Sequence, residues 1–408
     1  MPGFFRFMQV ILFDDHTRFQ LLPFTHTRPI ADIRCGILTM RERWEHLLKQ
    51  VITTLTDSYL QPAFHLEAGD DNLLINGSVF ATPELVTAIR QLNEDQKLVQ
   101  NDLLIAARFS NSEFHFHNLD AITQGLGVVG YDGEISRLKN IWDIFSLNDQ
   151  AITNDFALLT KGRKSAPIPQ HVIAVNTENI FIEEDAIINP GVIINPASGF
   201  VYIAKDAEIL EGAILRGSIA LCEHAVVKMG AKIYGATTIG PGCKVGGEIS
   251  NVVFFANSNK GHDGYLGNAV IGEWCNLGAD TNCSNLKNNY DYIKIWDEHA
   301  NKSIQTGLQF CGLMMGDHSK CGINTMFNTG TVVGVSANIY GGGFPEKFIP
   351  SFTWGGSEGM VTYDFNRALD TAKRMMVRRK KTLSDADVRV LQYVFEITTA
   401  QRNLFAKS

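Results

Sequence analysis

His262, Tyr265, Asn276 and Asn285 stand close together in a stretch otherwise rich in glycine and aliphatic residues. It begins Gly261-His262-Asp263-Gly264-Tyr265-Leu266-Gly267 and runs through Asn276-Leu277-Gly278-Ala279 to Asn285. Histidine is the side chain whose ordinary pKa lets it take and release a proton near neutrality. Phenol and carboxamide groups beside it can orient a polar reactant. A histidine so placed suits general-base removal of a proton from a reacting group. Such a step needs no metal.

Residues of this kind need a scaffold, and the flanking sequence describes one. From Ile203 an aliphatic residue returns at every sixth position: Ile209, Leu215, Leu221, Val227, Ile233, Ile239 and Val245. Four residues after each comes Ala207, Ala213, Ile219, Ala225, Ala231, Thr237 or Cys243, small except for Ile219. The period returns at Tyr265, Ile271, Leu277 and Cys283, and again at Met315, Cys321, Phe327, Val333 and Ile339. A period of six predicts a parallel β-helix, with aliphatic residues filling a shaft and small ones at the corners. The coils are expected to begin near Ile182, Ile188 and Ile194 and to stop at Gly341-Gly342-Gly343, with loop from Phe344 to Gly359. Core packing accounts for the aliphatic positions, so function is sought where the period breaks. That break is expected as a long excursion from about Gly247 to Gly264, ending on His262.

The string G-H-x-x-Y-L-G-x-A-x-I-G-x-x-x-N-L-G-A, from Gly261 to Ala279, resembles the acetyltransferase domain of the bifunctional N-acetylglucosamine-1-phosphate uridyltransferase/glucosamine-1-phosphate acetyltransferase family. The resemblance implies a left-handed parallel β-helix of hexapeptide repeats, acetyl-CoA as co-substrate and an amino-sugar phosphate or nucleotide-linked amino sugar as acceptor. It implies His262 as the base, Tyr265 and Asn276 as sugar contacts, and Asn285 as holding the catalytic geometry. A homotrimer through residues 182 to 340, with active sites between subunits, is implied as well. The family's three phosphate-binding basic residues are not matched: Tyr234, Ser250 or Val252, and Asp291 stand at those places. Lys232, Lys260 and Lys294 lie near enough to substitute, and Lys260 and Lys294 are taken as substrate-binding. Thr306, Lys320 and Gly322 are assigned to the acyl donor.

The chain has 408 residues, 45% hydrophobic and 19% charged, which suits a two-domain globular protein. Its formal net charge of −7 argues against nucleic acid or an anionic membrane as partner. Seven cysteines without a C-x-x-C pair fit a reducing cytoplasm. The apolar Met1 to Phe13 is read as a first strand rather than a signal peptide, and no stretch reaches transmembrane length.

Residues 1 to 165 alternate strand and helix signals: Met8–Phe13, a helix within 37–51, Asn72–Asn76, a helix opened by Thr82-Pro83-Glu84, and Leu103–Ala107. This predicts an α/β doubly wound parallel sheet with ligands at the strands' C-terminal ends. Thr17-Arg18 and Pro23-Phe24-Thr25 are similar to the opening of sugar nucleotidyltransferases, and Thr17, Arg18 and Arg28 are assigned to the nucleotide. The family's phosphate-loop glycines are replaced by Asp14, Asp15 and His16, and its metal-binding aspartate by Asn76-Gly77. Mg2+ is implied only if this domain is active.

A helix is expected from Trp142 to Thr160, and a linker from Lys161 to Pro169 leads into the second domain, 166–350. Two helices are expected in 351–408, the second capped by Ser384 with a stripe of Val388, Leu391, Phe395 and Thr398, together covering the last coil. Arg374, Arg378, Arg379, Lys380 and Lys381 make a solvated face or a site for the phosphates of coenzyme A. Three alternatives stay open: a bifunctional sugar-1-phosphate nucleotidyltransferase/acetyltransferase making UDP-N-acetylglucosamine or a related NDP-sugar, a non-catalytic trimeric protein that binds a sugar nucleotide, and a zinc enzyme built on His224, His262, His299 and His318, though these lack ligand-like spacing.

Overall fold

The computed structural model describes residues 8–110 and 113–405; the part of the expected first strand on residues 1–7 lies outside the described residues. The chain divides into two compact units, Met1–Leu21 with Thr27–Ile33 and Leu38–Lys139, and Leu22–His26 with Arg34–Ile37 and Asn140–Ser408.

In the first unit, β1 (Gln9–Phe13), β2 (Thr53–Leu55), β3 (Asn72–Asn76), β4 (Gln96–Gln100), β5 (Leu103–Phe109) and β6 (Gly127–Gly130) form one sheet in the order β2-β1-β3-β5-β4-β6. β1 runs parallel to β2 and β3, while β5 runs antiparallel to β3 and β4. The antiparallel strand arises because Asn101 and Asp102 alone join β4 to β5, too short for a parallel crossover. Helices α1 (Met40–Leu48) and α2 (Pro83–Arg90) pack Trp44, Leu85 and Ile89 on one sheet face. Helix α3 (Leu119–Gln124) packs Leu119 on the other, so the sheet is doubly wound as expected. Thr39 and Thr82 cap α1 and α2, each accepting a backbone N–H of the first turn.

The second unit is a left-handed β-helix whose strands stack in parallel from Ile173–Ala174 to Thr353–Gly356. The expected shaft residues from Ile203 to Val245 are all buried in one continuous core, as are Met315, Cys321, Phe327, Val333 and Ile339. Its three faces are defined by pairings such as Leu215 with Ile233, Leu221 with Ile239 and Val227 with Val245; we call them the first, second and third face.

The break in period differs from the expected excursion. Val252-Val253-Phe254 is not loop but part of a seven-residue strand, Glu248–Phe254, paired on both sides. Pairing partners there are closer in sequence than the usual 18 residues: Ile233 meets Ile249, Ile239 meets Phe254, and Val245 meets Lys260. Corners have been shortened, not a loop added. The phase therefore slips by one, and Leu266 rather than Tyr265 enters the shaft. The long insertion comes later. Ile271 pairs with Met315, 44 residues on, and the added chain carries a hairpin of Lys294–Asp297 with Lys302–Gln305. Buried His26 Nε2 lies 2.8 Å from Glu298 Oε1 at the tip of that hairpin.

The C-terminal end also departs from expectation. The stack runs one coil beyond Gly343, with Phe348–Ile349 on Val332–Val333 and Thr353–Gly356 on Asn338–Ile339. The chain then folds back as Gly359–Thr362, which places Met360 in the shaft core. Helices Phe365–Val377, Asp385–Ile397 and Thr399–Phe405 follow. The first two do not cap the shaft. They pack against Trp274, Val335 and Phe352, corner residues of three different coils, using Leu369, Met376, Leu391 and Val394. Ser384 caps the second helix in a capping box with Asp387; of its expected stripe Leu391 and Thr398 are buried and Val388 and Phe395 pack partly buried beside them, with Val390 and Val394 joining the buried face. Among the described residues no helix is long and apolar enough to cross a membrane.

Candidate active site

The corner between the third and first faces carries His262. Below it the preceding coil turns on only two residues, Gly246 and Gly247, the latter at φ 74°. A Cβ on Gly247 would lie 2.8 Å from the carbonyl oxygens of His262 and Gly264, so glycine alone lets the two corners stack this closely. The His262 side chain is exposed.

Tyr265 opens the strand Tyr265–Ile271, and the one-residue slip turns its ring outward along the first face. Its Oη accepts from Asn285 Nδ2 at 3.0 Å, and the same amide donates to Asn268 Oδ1 at 2.8 Å. The phenol crosses Gly267, where a Cβ would meet Tyr265 Oη at 2.3 Å and Asn285 Nδ2 at 2.7 Å. Burial pushes the Tyr265 pKa up, so the group stays a neutral phenol. Sequence reading missed Gly267 and Asn268. The signal was a glycine followed by asparagine where the face turns a corner, with Ser250-Asn251 at the same place one coil below. Both asparagines adopt the left-handed conformation that this residue tolerates.

Asn276 lies on the third face, where Asn259 Nδ2 donates to its Oδ1 at 3.4 Å. It is not brought into contact with Tyr265 or Asn285; it flanks the His262 corner from the other side. The first face near Tyr265 carries Glu248, which accepts from Tyr234 Oη at 2.7 Å. Lys294 is exposed on the inserted hairpin, and Thr306 is buried there, donating to the Ile293 carbonyl at 2.9 Å. Lys320 lies on the third face and donates to the His318 carbonyl at 2.6 Å. Gly322 begins the next corner.

Lys260 corrects its assignment. The sequence suggests a substrate contact, yet Lys260 is 0% exposed and occupies a shaft position after Val245. Its Nζ donates to the carbonyls of His262 at 2.7 Å and Asp263 at 3.0 Å. Burial pushes its pKa down to about 8. The unfolded chain then binds the proton more tightly than the folded one, so the penalty for burying the charge is full below pH 8 and is relieved as pH climbs from about 8 toward 10.5. The melting-temperature difference, Lys260→Met minus wild type, should accordingly fall between pH 8 and pH 10. A flat difference across that window would refute the burial of this charge.

Of the basic run, Arg379 is engaged with the β-helix. It donates to the Gly242 carbonyl and, at 2.8 Å, to Asn259 Oδ1. Arg374, Arg378, Lys380 and Lys381 are exposed. His224, His262, His299 and His318 are not gathered: among the described residues no three or more His, Cys, Asp or Glu side chains are grouped to hold a metal.

In the first unit a cleft of about 450 Å³ opens at the C-terminal ends of β1 and β3, lined by Asp15, His16, Thr17, Asn76 and Arg137 among others. Arg18 does not reach into it. It is 3% exposed, held by Asp14, Asp57 and Tyr59, with its Nη1 3.2 Å from Asp57 Oδ2. Arg28 is buried as well. Thr17 lines the cleft, with its backbone N–H donating to Asp15 Oδ1 at 2.9 Å. Asp14 is buried, accepting from Thr56 Oγ1 at 2.6 Å and the Ile30 N–H at 2.8 Å, and burial raises its pKa to about 6. Asn76 donates to Asp15 Oδ2 at 2.9 Å and accepts from Ser78. A magnesium ion fits this donor set poorly: Asp15 is occupied by an amide and by Arg137 at 3.5 Å, and Asn76 brings no charge.

Residues 10–164 match the family described as sugar nucleotidyl transferase. The chain thus joins a domain that matches the sugar nucleotidyl transferase family to a left-handed β-helix. Over 263 residues it is 23% identical to the bifunctional protein GlmU of Trichormus variabilis, covering 59% of this chain and 53% of that one. It is 28% identical over 256 residues to the bifunctional sugar-1-phosphate nucleotidylyltransferase/acetyltransferase of Sulfurisphaera tokodaii, covering 62% and 57%. The chain spans about half the length of these curated relatives. A solved UDP-N-acetylglucosamine acyltransferase from Bacteroides fragilis covers 59% of this chain and 85% of its own, at 17% identity and a TM-score of 0.24, a superposition too loose to carry any argument.

Proposed function

We propose that this protein transfers an acetyl group from acetyl-CoA to the amine of an amino-sugar phosphate or nucleotide-linked amino sugar. The observation that carries this reading is the Tyr265–Asn285–Asn268 hydrogen-bonded set on the first face, with exposed His262 at its edge. The acceptor nitrogen attacks the thioester carbonyl as His262 takes its proton. The tetrahedral intermediate then collapses, the C–S bond breaks, and the coenzyme A thiolate receives that proton. Tyr265 and Asn276 hold the sugar, and Asn285 keeps Tyr265 in place. Lys294, Thr306, Lys320 and Gly322 remain candidate contacts for acceptor and donor.

The reading includes a homotrimer, built through residues 182 to 340, working in the cytoplasm. Exposed Met229 and Ile323 occupy the same corner column as His262, two coils below it and two coils above it, which supports a partner covering that column. Domain limits of 1–165, 166–350 and 351–408 go with it.

For the N-terminal domain the relatives' names favour a second activity, joining a nucleotide to a sugar 1-phosphate. The buried Arg18 and the engaged Asp15 and Asn76 favour a domain that binds a nucleotide or sugar nucleotide with little turnover. One experiment tests both parts. Purified protein is given acetyl-CoA with glucosamine 1-phosphate or UDP-glucosamine, and separately UTP with N-acetylglucosamine 1-phosphate and Mg2+. Thiol release in the first arm and little pyrophosphate in the second are expected. No thiol release with either acceptor would sink the acetyl-transfer reading, and robust Mg2+-dependent pyrophosphate release would overturn the reading of the first domain.

A further inference from the structure

The third face stacks Ile188, Ile209, Val227, Val245, Lys260, Leu277, Cys321 and Ile339 into the shaft, and Lys260 is the charged member of that column. An apolar side chain there would complete the core at no electrostatic cost, whereas a buried ammonium is expensive unless each of its N–H groups finds an acceptor. Lys260 has no carboxylate at ion-pair distance among the described residues. Its acceptors are three carbonyls, those of His262 at 2.7 Å, Asp263 at 3.0 Å and Gly246 at 3.4 Å. Two of the three belong to the corner that carries His262, and the third to the glycine corner on which that one rests.

We propose that Lys260 is a positioning residue: from inside the shaft its ammonium grips the backbone of the His262 corner and fixes where the imidazole stands. This rests on the reading of His262 as the base. The His262 side chain is exposed and has no hydrogen bond of its own among the described residues, so its location depends on its backbone. That backbone is held from below by the Gly246–Gly247 contact and from within by Lys260. The corner has no aliphatic anchor, because Gly261, Asp263 and Gly264 are its other residues.

Lys260→Met keeps the length and fills the column while removing the three donors. Hydrogen exchange over residues 261–266 should become about tenfold faster, with the rest of the β-helix unchanged. With acetyl-CoA and glucosamine 1-phosphate, kcat should fall about 10- to 100-fold with KM for acetyl-CoA held. In a His262→Ala background the same substitution should change kcat less than about twofold, since it acts through the imidazole. Lys260→Gln, which retains N–H donors, should recover part of the rate, and it carries both measurements if the Met variant does not fold. Unchanged exchange at the corner overturns the proposal. So does a kcat loss that persists undiminished in the His262→Ala background. Wild-type turnover by His262→Ala, or no turnover by the wild type, would instead remove the acetyl-transfer reading, and the exchange result would still decide whether Lys260 holds the corner.

Discussion

His262→Ala should lower kcat by about 10² to 10⁴ while leaving the affinity for acetyl-CoA and the melting temperature nearly unchanged. The magnitude is that of a lost general base. The selectivity follows from placement, because the imidazole is exposed and the corner's backbone is secured by other groups. Truncating it therefore opens no cavity and strands no buried partner. Steady-state rates with glucosamine 1-phosphate, together with a binding titration of acetyl-CoA, separate the two quantities. A variant acetylating at the wild-type rate would show that the base lies elsewhere.

Gly267→Ala should be almost as damaging, although it adds one methyl and removes nothing. The new carbon would sit 2.3 Å from Tyr265 Oη and 2.7 Å from Asn285 Nδ2, so the phenol and the amide must part. Gly267 is not in the left-handed region, and its strand keeps its pairing with Ser250. The clash thus falls on the two side chains rather than the coil. Displacement by about 1 Å is enough to cost roughly 10²-fold in kcat/KM. The melting temperature should move by only a few degrees. If activity survived, the Tyr265–Asn285 pair would have no part in turnover.

The shaft was legible because nearly all of its inward positions hold apolar residues and most of its corners small ones, with Lys260 and Ile219 as exceptions, and a six-residue period records both constraints. It became illegible where corners shorten. Losing a residue from a corner shifts the phase by one, and a sequence cannot say whether the missing residue came from a turn or a strand. The period therefore points Tyr265 inward where Leu266 goes, and it marks as an excursion the paired strand at Val252–Phe254. Charges misled in the opposite sense. The resemblance points Lys260 and Arg18 at ligands, yet local carbonyls satisfy one and Asp14, Asp57 and Tyr59 the other. Of the site, His262, Tyr265 and Asn285 could be named from the motif, since function fixes residue type and spacing. Gly267 and Asn268 act by making room for the phenol and by accepting from Asn285, roles that the glycine-asparagine pair signals only faintly until the corner is located.

The C-terminal helices run down one corner of the β-helix, with Arg379 bonded to Gly242 and Asn259 and their apolar faces against Trp274, Val335 and Phe352. In a stack of coils each layer senses only the layers above and below, so disorder entering at an end can spread inward one step at a time. A brace spanning many layers changes that rule. Opening any layer between Gly242 and Phe352 loosens the brace from all the others, so the braced stretch is expected to melt as one block rather than peel. The His262 corner lies inside this stretch, several layers from the free end, where thermal fraying of the terminal coil cannot reach it without melting the whole.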